Sequence, residues 1–277
     1  MYSRAYVEIT NGCNLHCSFC HGHHRTPRRM SETEFSHVLR ALCRLPEQPR
    51  YLYFHLMGEP MTHPLLPQFI RMGAENGFLP VLTTNGTLLA GGGEALLETP
   101  LRKISISLHS LEEGGEEAMV DYLSKVAAFG ERAAERGIIV VLRLWNCGCD
   151  GGQNERMLAF LRKRLMGEWA ENTKGIRIRD KLHVEWGDRF AWPDAEAEDG
   201  GEEVFCYGLQ DHFGILADGT VVPCCLDSEG TLALGNVFQQ ELSEILMSSK
   251  AVAMRDGFRR RRAAEDLCRR CGYAKRF

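Results

Sequence analysis

Cys13, Cys17 and Cys20 form a C-x3-C-x2-C pattern within TNGCNLHCSFCHGHH (10–24), a stretch that also carries His16, His21, His23 and His24. Thiolates are the ligands of soft metal centres and of iron–sulfur clusters. A cubane cluster normally takes four cysteines; three would leave one iron open, as an open coordination position marks a catalytic zinc. A zinc site that recruits a neighbouring histidine has similar spacing. The four histidines read either as a polar, solvent-facing loop or as proton or substrate groups.

A second set, Cys206, Cys224, Cys268 and Cys271, reads C-x17-C-x43-C-x2-C. Four thiolates close every position of a cluster, which suits electron transfer or structure rather than substrate activation. A four-cysteine zinc site is the structural alternative. Cys225 duplicates Cys224, Cys43 reads as a small core residue of a helix, and Cys147 and Cys149 fall in a loop outside both patterns.

The elements that must position these groups follow a β/α rhythm. Strand patterns occupy 4–10, 51–57, 78–84, 103–109, 138–145 and 176–186. Helical patterns occupy about 31–45, opened by the capping box SETE, then 65–76, 94–98, 116–136 and 154–167. Six such units predict an α/β chain with a partial (β/α)6 TIM-like barrel over 1–193, where strand ends carry the chemistry. The stretch 194–203 has no hydrophobic period and reads as an acidic linker. Residues 204–277 read as a small cluster-bearing domain with a hairpin turning at Asp218-Gly219 and a terminal helix and cysteine pair.

Charge and composition narrow the class. With 277 residues and 44% hydrophobic content the chain can bury a sizeable core. Its start lacks a basic segment followed by an apolar one, and its most apolar run, IIVVLRLW, falls far short of the roughly 18 residues of a membrane span. A soluble, cytoplasmic protein without a membrane partner is expected. Eleven cysteines, an odd number in a chain of this kind, read as metal or redox ligands rather than a disulfide framework. Residues 250–277 carry ten Lys/Arg against three acids, a balance of +7, while DAEAEDGGEE contributes six negative charges. RRRR (259–262) reads as a solvated face that offsets cluster charge rather than a nucleic-acid patch.

The first cysteine pattern, with Phe19 before its last cysteine, resembles the radical S-adenosylmethionine superfamily. Downstream motifs are similar in order: HLMGEP (55–60), TTNG (83–86), SISLH (105–109) and Arg143, each at a strand end or on a strand. The resemblance implies that Cys13, Cys17 and Cys20 hold a [4Fe-4S] cluster whose open iron binds S-adenosylmethionine. It further implies that Gly58, Glu59 and Pro60 meet the amino end of the cofactor, Thr84 and Asn85 its ribose, and Ser107 and Arg143 its carboxylate. DGTVVPCC (218–225), LGN (234–236) and the terminal CRRC resemble the SPASM/twitch extension of these enzymes, which implies one auxiliary [4Fe-4S] cluster on Cys206, Cys224, Cys268 and Cys271. Cys224 is the better ligand than Cys225 because it stands five residues after Gly219, as in that family.

The expected activity is therefore reductive cleavage of S-adenosylmethionine to a 5′-deoxyadenosyl radical and hydrogen abstraction from a substrate. An auxiliary cluster that accepts an electron favours oxidation of an alcohol or of a peptide side chain, under anaerobic conditions. Partners implied are a small-molecule or peptide substrate and an electron donor such as flavodoxin or ferredoxin. Candidate proton-transfer residues are His109, His55 and Cys147, with Cys149, Trp186, Arg189 and Trp192 as further cavity candidates. Two other classes stay open: a radical RNA-modifying enzyme, and a non-catalytic cysteine-rich metal or redox protein.

Overall fold

The computed structural model describes residues 2–111 and 115–276. The chain forms two compact units, residues 1–16, 20–79 and 190–277 in one and residues 17–19 and 80–189 in the other.

In the first unit, β1 (Arg4–Val7) lies between two parallel neighbours, β2 (Tyr51–Tyr53) and β9 (His212–Ile215). The antiparallel strands β10 (Thr220–Val222) and β11 (Gly235–Asn236) follow outward from β9. Side chains alternate across these strands. Ala5, Val7, Leu52 and Phe54 are buried on one face. There Phe54 and Phe69 both pack on Phe35, joining the strands to α1 (Glu32–Cys43) and α2 (Leu66–Glu75). The opposite face carries Tyr6, Tyr53 and His55, which are in mutual ring contact. The expected capping box opens α1: Ser31 Oγ accepts from the Glu34 amide and Glu34 accepts from the Ser31 amide. The hairpin between β9 and β10 turns where expected, with Gly219 at φ +86 and a Cβ there only 2.4 Å from Phe238.

β2 ends at Tyr53, earlier than the apolar run suggested, because the chain leaves the ladder for the turn at Gly58. The C-terminal helices are α6 (Leu242–Leu246), α7 (Ser249–Arg259) and α8 (Asp266–Arg269). The acidic stretch expected as a linker is fastened to the basic segment. Asp199 pairs with Arg269 at 2.9 Å, Glu202 pairs with Arg262, and the Val204 amide donates to Arg261 O at 2.9 Å. Opposite charges set apart in sequence thus meet in the fold.

In the second unit, β3 (Leu79–Thr84), β4 (Lys103–Ser107), β5 (Ile139–Cys147) and β8 (Leu182–Asp188) run parallel in that order. Then β7 (Gly175–Arg179) and β6 (Ala170–Asn172) continue the sheet antiparallel. Leu82, Ile104, Ile106, Val140, Leu142 and Val184 are buried. They lie on the face covered by α3 (Leu89–Leu97), α4 (Gly115–Glu135) and α5 (Gln153–Arg164), where Gly130 lets α4 approach Val140 and Leu182. The pattern 176–186 is two strands rather than one. Ile176, Ile178, Leu182 and Val184 stay in phase with a period of two on both sides of a tight turn in which Lys181 takes φ +58, and only Asp180 interrupts the alternation. The helix expected over 94–98 starts at Leu89; its three glycines weaken the signal, yet Gly93 sits where a Cβ would meet Phe129 at 2.9 Å. Among the described residues no helix is long and apolar enough to cross a membrane.

Candidate functional site

The first unit presents Cys13 and Cys20 in the loop after β1, beside the turn that follows β2. Asn11 braces this loop: its side-chain amide donates to Thr26 O at 2.9 Å and its carbonyl accepts from the Arg28 amide at 2.7 Å. Cys13 Sγ accepts from the Leu15 amide at 3.4 Å. Burial pushes the Cys13 thiol up, and the nearby Glu59 and Cys20 add to the shift against the Leu15 hydrogen bond. Gly58 holds φ +74 and lies so close to the loop that a Cβ would stand 2.5 Å from Thr10 O. Only glycine fits that approach. Next to it, the buried Glu59 has its amide on Gly12 O at 2.9 Å and one carboxylate oxygen on the Met61 amide at 2.9 Å, where Pro60 opens a 3-10 turn.

The return of the same loop is anchored by residues that the sequence patterns do not flag. Arg25 forms a two-point ion pair with the fully buried Glu8. His23 Nε2 is 2.8 Å from Asn11 O, His24 contacts Glu229, and His21 stacks on Trp192. Three of the loop's four histidines thus hold chain to chain. Trp192 also packs against Phe190, which meets Tyr273.

The second unit contributes Cys17 and Phe19 with the strand ends. Cys17 Sγ lies 3.8 Å from Ser110 O, the Phe19 ring stands 4.8 Å from the His109 ring, and Arg189 donates to Ser18 O at 3.2 Å. Thr84 Oγ1 accepts from the Gly86 amide at 3.1 Å. Asn85 Oδ1 accepts from the amide and the hydroxyl of Thr87, while Tyr122 donates to Asn85 O at 2.7 Å. Ser107 and Arg143 are register partners on β4 and β5, and the Arg143 guanidinium stands 4.4 Å from the centre of the Trp145 ring. His109 Nδ1 is 3.2 Å from Arg143 O and 3.3 Å from the Trp145 amide, so the backbone engages that edge. Cys147 lies at a β-bulge, with Sγ 3.7 Å from Leu144 O. One row below Ser107, register places Thr83, Ser105, Val141 and His183 side by side on the face away from the helices. The Thr83 and Ser105 hydroxyls are buried without a hydrogen-bond partner among the described residues. Desolvation lowers the His183 pKa, with Lys103 and Arg177 adding to the effect.

The second cysteine set gathers within the first unit. Cys206, Cys224, Cys268 and Cys271 line one pocket with Pro223 and Phe258. Burial pushes Cys206 up to about 11 and raises Cys224, Cys268 and Cys271; neighbouring thiols add to the shift at Cys206, Cys224 and Cys268. Among the described residues no group of three or more His, Cys, Asp or Glu side chains is arranged for a single metal ion. Four thiols around a shared space are a donor set that an iron–sulfur cluster takes, and their deprotonation is part of its assembly.

The Radical SAM superfamily model matches residues 7–165, more than half of the chain. The chain belongs to the radical SAM superfamily. A second model, the SPASM iron–sulfur cluster-binding domain, matches residues 206–272. Among curated proteins, the GTP 3′,8-cyclase of Xanthomonas axonopodis pv. citri is 25% identical over 272 residues, covering 81% of this chain and 80% of the cyclase. A tungsten-containing aldehyde ferredoxin oxidoreductase cofactor-modifying protein of Pyrococcus furiosus is 36% identical over 86 residues, or 30% of this chain, and the match spans 24% of that protein.

Among solved structures, BtrN in complex with AdoMet and 2-DOIA superposes with TM-score 0.60 at 18% identity, covering 98% of this chain and 93% of BtrN. Streptococcus suis SuiB bound to the precursor peptide SuiA gives TM-score 0.56 at 14% identity, covering 99% of this chain and 70% of SuiB. The fold is thus the partial TIM-like α/β barrel with a C-terminal SPASM-type domain. This radical SAM enzyme uses a [4Fe-4S] cluster with S-adenosylmethionine, and its SPASM region implies auxiliary iron–sulfur.

Proposed function

We propose that this radical SAM enzyme oxidises a small polar metabolite in the cytoplasm, and that the C-terminal cysteine site receives the electron. When bound, the cofactors supply a 5′-deoxyadenosyl radical and a one-electron sink. In an alcohol oxidation, hydrogen-atom loss from a carbinol carbon followed by loss of one electron and the hydroxyl proton gives a ketone. The observation that carries the reading is the single pocket lined by Cys206, Cys224, Cys268 and Cys271: four thiols leave no iron open to substrate.

The residue roles are those that the motif resemblance implies. Cys13, Cys17 and Cys20 hold the first cluster, and Phe19, Gly58 and Pro60 shape its surroundings. Glu59 takes the ammonium of S-adenosylmethionine, Thr84 and Asn85 its ribose, and Ser107 and Arg143 its carboxylate. His55, His109 and Cys147 are the candidates for moving the proton. A small polar substrate is favoured over an apolar peptide side chain by the row of Thr83, Ser105 and His183 on the sheet face away from the helices, since buried hydroxyls need polar partners. The basic run 259–262 is partly taken up by the acidic stretch, which weighs against a nucleic-acid surface.

A second reading rests on the similarity to GTP 3′,8-cyclase across four-fifths of both chains: a redox-neutral rearrangement of a nucleotide. Anaerobic turnover with S-adenosylmethionine and dithionite against a panel of aminocyclitols, sugars and GTP separates them. Oxidation yields a product two hydrogens lighter and puts the electron on the C-terminal site. Cyclisation of GTP without mass loss would replace the first reading with the second.

A further inference from the structure

Among the described residues, the wall of the four-thiol pocket contains a single charged side chain, Asp227. Apart from the thiols the wall is otherwise apolar, with Leu232, Phe258 and Leu267 among its members. Asp227 is 2% exposed, and both carboxylate oxygens are held by the backbone of its own loop. One accepts from the Thr231 amide and the other from the Leu232 amide, each at 2.9 Å. Amide donors favour the charged form of a carboxyl group. Burial pushes the Asp227 carboxyl up, and these two amides pull it back. Among the described residues Asp227 has no ion pair; the neighbouring Lys250 donates to Ala233 O at 3.3 Å.

The loop leaves the pocket wall at Asp227 and returns to it at Leu232, turning at Gly230 with φ +73. Its outer part grips the return of the first cysteine loop: Ser228 O accepts from Arg25 Nε and the Glu229 carboxylate accepts from the His24 amide, both at 2.7 Å. Two acids only two positions apart therefore meet different surroundings. Asp227 faces the four thiols, and Glu229 faces the first cysteine loop.

We infer that Asp227 sets the reduction potential of the iron–sulfur cluster in this pocket: its fixed negative charge holds the potential low and makes the reduced cluster the stronger electron donor. This rests on the proposed reading of the four C-terminal cysteines as cluster ligands. Reduction adds one electron, and so one negative charge, to the cluster. A buried carboxylate in the same wall opposes that added charge, and apolar surroundings screen it little. Glu229 carries the same charge on the same loop but does not line the pocket, so it is the internal control.

The test uses the full chain carrying Cys13, Cys17 and Cys20→Ala, so that only C-terminal iron remains, with Asp227→Asn, Asp227→Glu or Glu229→Gln added. Iron and sulfide content, electron paramagnetic resonance of the reduced state and the midpoint potential are read without substrate. Expected is parental iron and sulfide in all three variants. The Asp227→Asn midpoint should be less negative by a tenfold change in the reduced-to-oxidised ratio, about 59 mV for one electron. Asp227→Glu, which keeps the charge, and Glu229→Gln should stay near the parent. An unmoved midpoint in Asp227→Asn, or an equal shift in either of the other two, would overturn the inference, because the charge at that place would not be the cause. Cluster loss in Asp227→Asn would make the residue a builder of the pocket and overturn it as well. A parent chain without iron and sulfide would remove the cluster reading itself, whereas a loaded parent with an unmoved Asp227→Asn midpoint removes this inference alone.

Discussion

Glu8 and Arg25 form a two-point ion pair, with both N–O distances 2.7 Å, between the end of β1 and the returning cysteine loop. The Glu8 carboxylate also accepts from the Met57 amide and the Ala217 amide, each at 3.1 Å, and Arg25 Nε donates to Ser228 O at 2.7 Å. One buried carboxylate therefore ties the cysteine loop, the turn after β2 and the hairpin of the SPASM region. Removing one partner strands a charge, which typically costs about 3–5 kcal/mol. Arg25→Met should lower the unfolding free energy by that order and loosen the loop that carries Cys20. Denaturant unfolding of Arg25→Met, Glu8→Gln and the double variant checks it; a double variant no more stable than the sum of the two losses would show that the pair is not coupled.

Gly58 should tolerate no side chain. Its positive φ and the 2.5 Å approach to Thr10 O mean that Gly58→Ala must push the Glu59 turn away from the cysteine loop. An alanine forced into left-handed backbone already costs about 1–2 kcal/mol. The expected result is at least about tenfold weaker S-adenosylmethionine binding in the reconstituted protein, the equivalent of about 1.4 kcal/mol. Equilibrium dialysis measures it, and unchanged binding would remove Gly58 and Glu59 from the cofactor site.

Much of this site is legible in sequence because its chemistry sits in short motifs. Cysteine spacing, MGEP and TTNG are each local, and each precedes or ends an element whose hydrophobic period is clear. Glu8 and Arg25 are not legible that way, since their meaning lies in a pairing across 17 positions of chain, and Glu8 looks like an ordinary outward residue of a strand. The acidic stretch 194–203 is a different case. Composition alone reads as a linker, and only the proximity of 259–269 turns it into a strap. The β7–β8 turn is masked because the apolar positions before and after it share one phase, with Asp180 alone breaking the alternation.

The buried hydroxyls of Thr83 and Ser105 should cost the ligand-free enzyme stability. Each stands without a hydrogen-bond partner among the described residues, and an unsatisfied buried polar group costs roughly 1–3 kcal/mol. Thr83→Val keeps the shape and Ser105→Ala removes the hydroxyl, so either should raise the melting temperature of the substrate-free protein and weaken substrate-dependent formation of 5′-deoxyadenosine. Differential scanning calorimetry reads the first effect. A melting point that falls in both variants would mean that ordered water, not a ligand, serves these oxygens.

Asp211 supplies a stability term that acid removes. His212, Ser3 and Arg4 hold its carboxyl down at about 2, against the opposing effect of partial burial. The ordinary carboxylate value in an unfolded chain is about 3.9. Because the folded value is the lower one, the unfolded chain binds the proton first as pH falls. The contribution is therefore complete above about 4, declines between about 4 and 2, and is gone below the folded value. Since Asp211 precedes β9 and pairs with Arg4 of β1, its loss should loosen the parallel β1–β9 contact. Asp211→Asn should be less stable than the parent at pH 6 and lose less on acidification. Urea unfolding at pH 6, 4, 3 and 2 measures both slopes, and parallel curves for the two proteins would assign the acid sensitivity elsewhere.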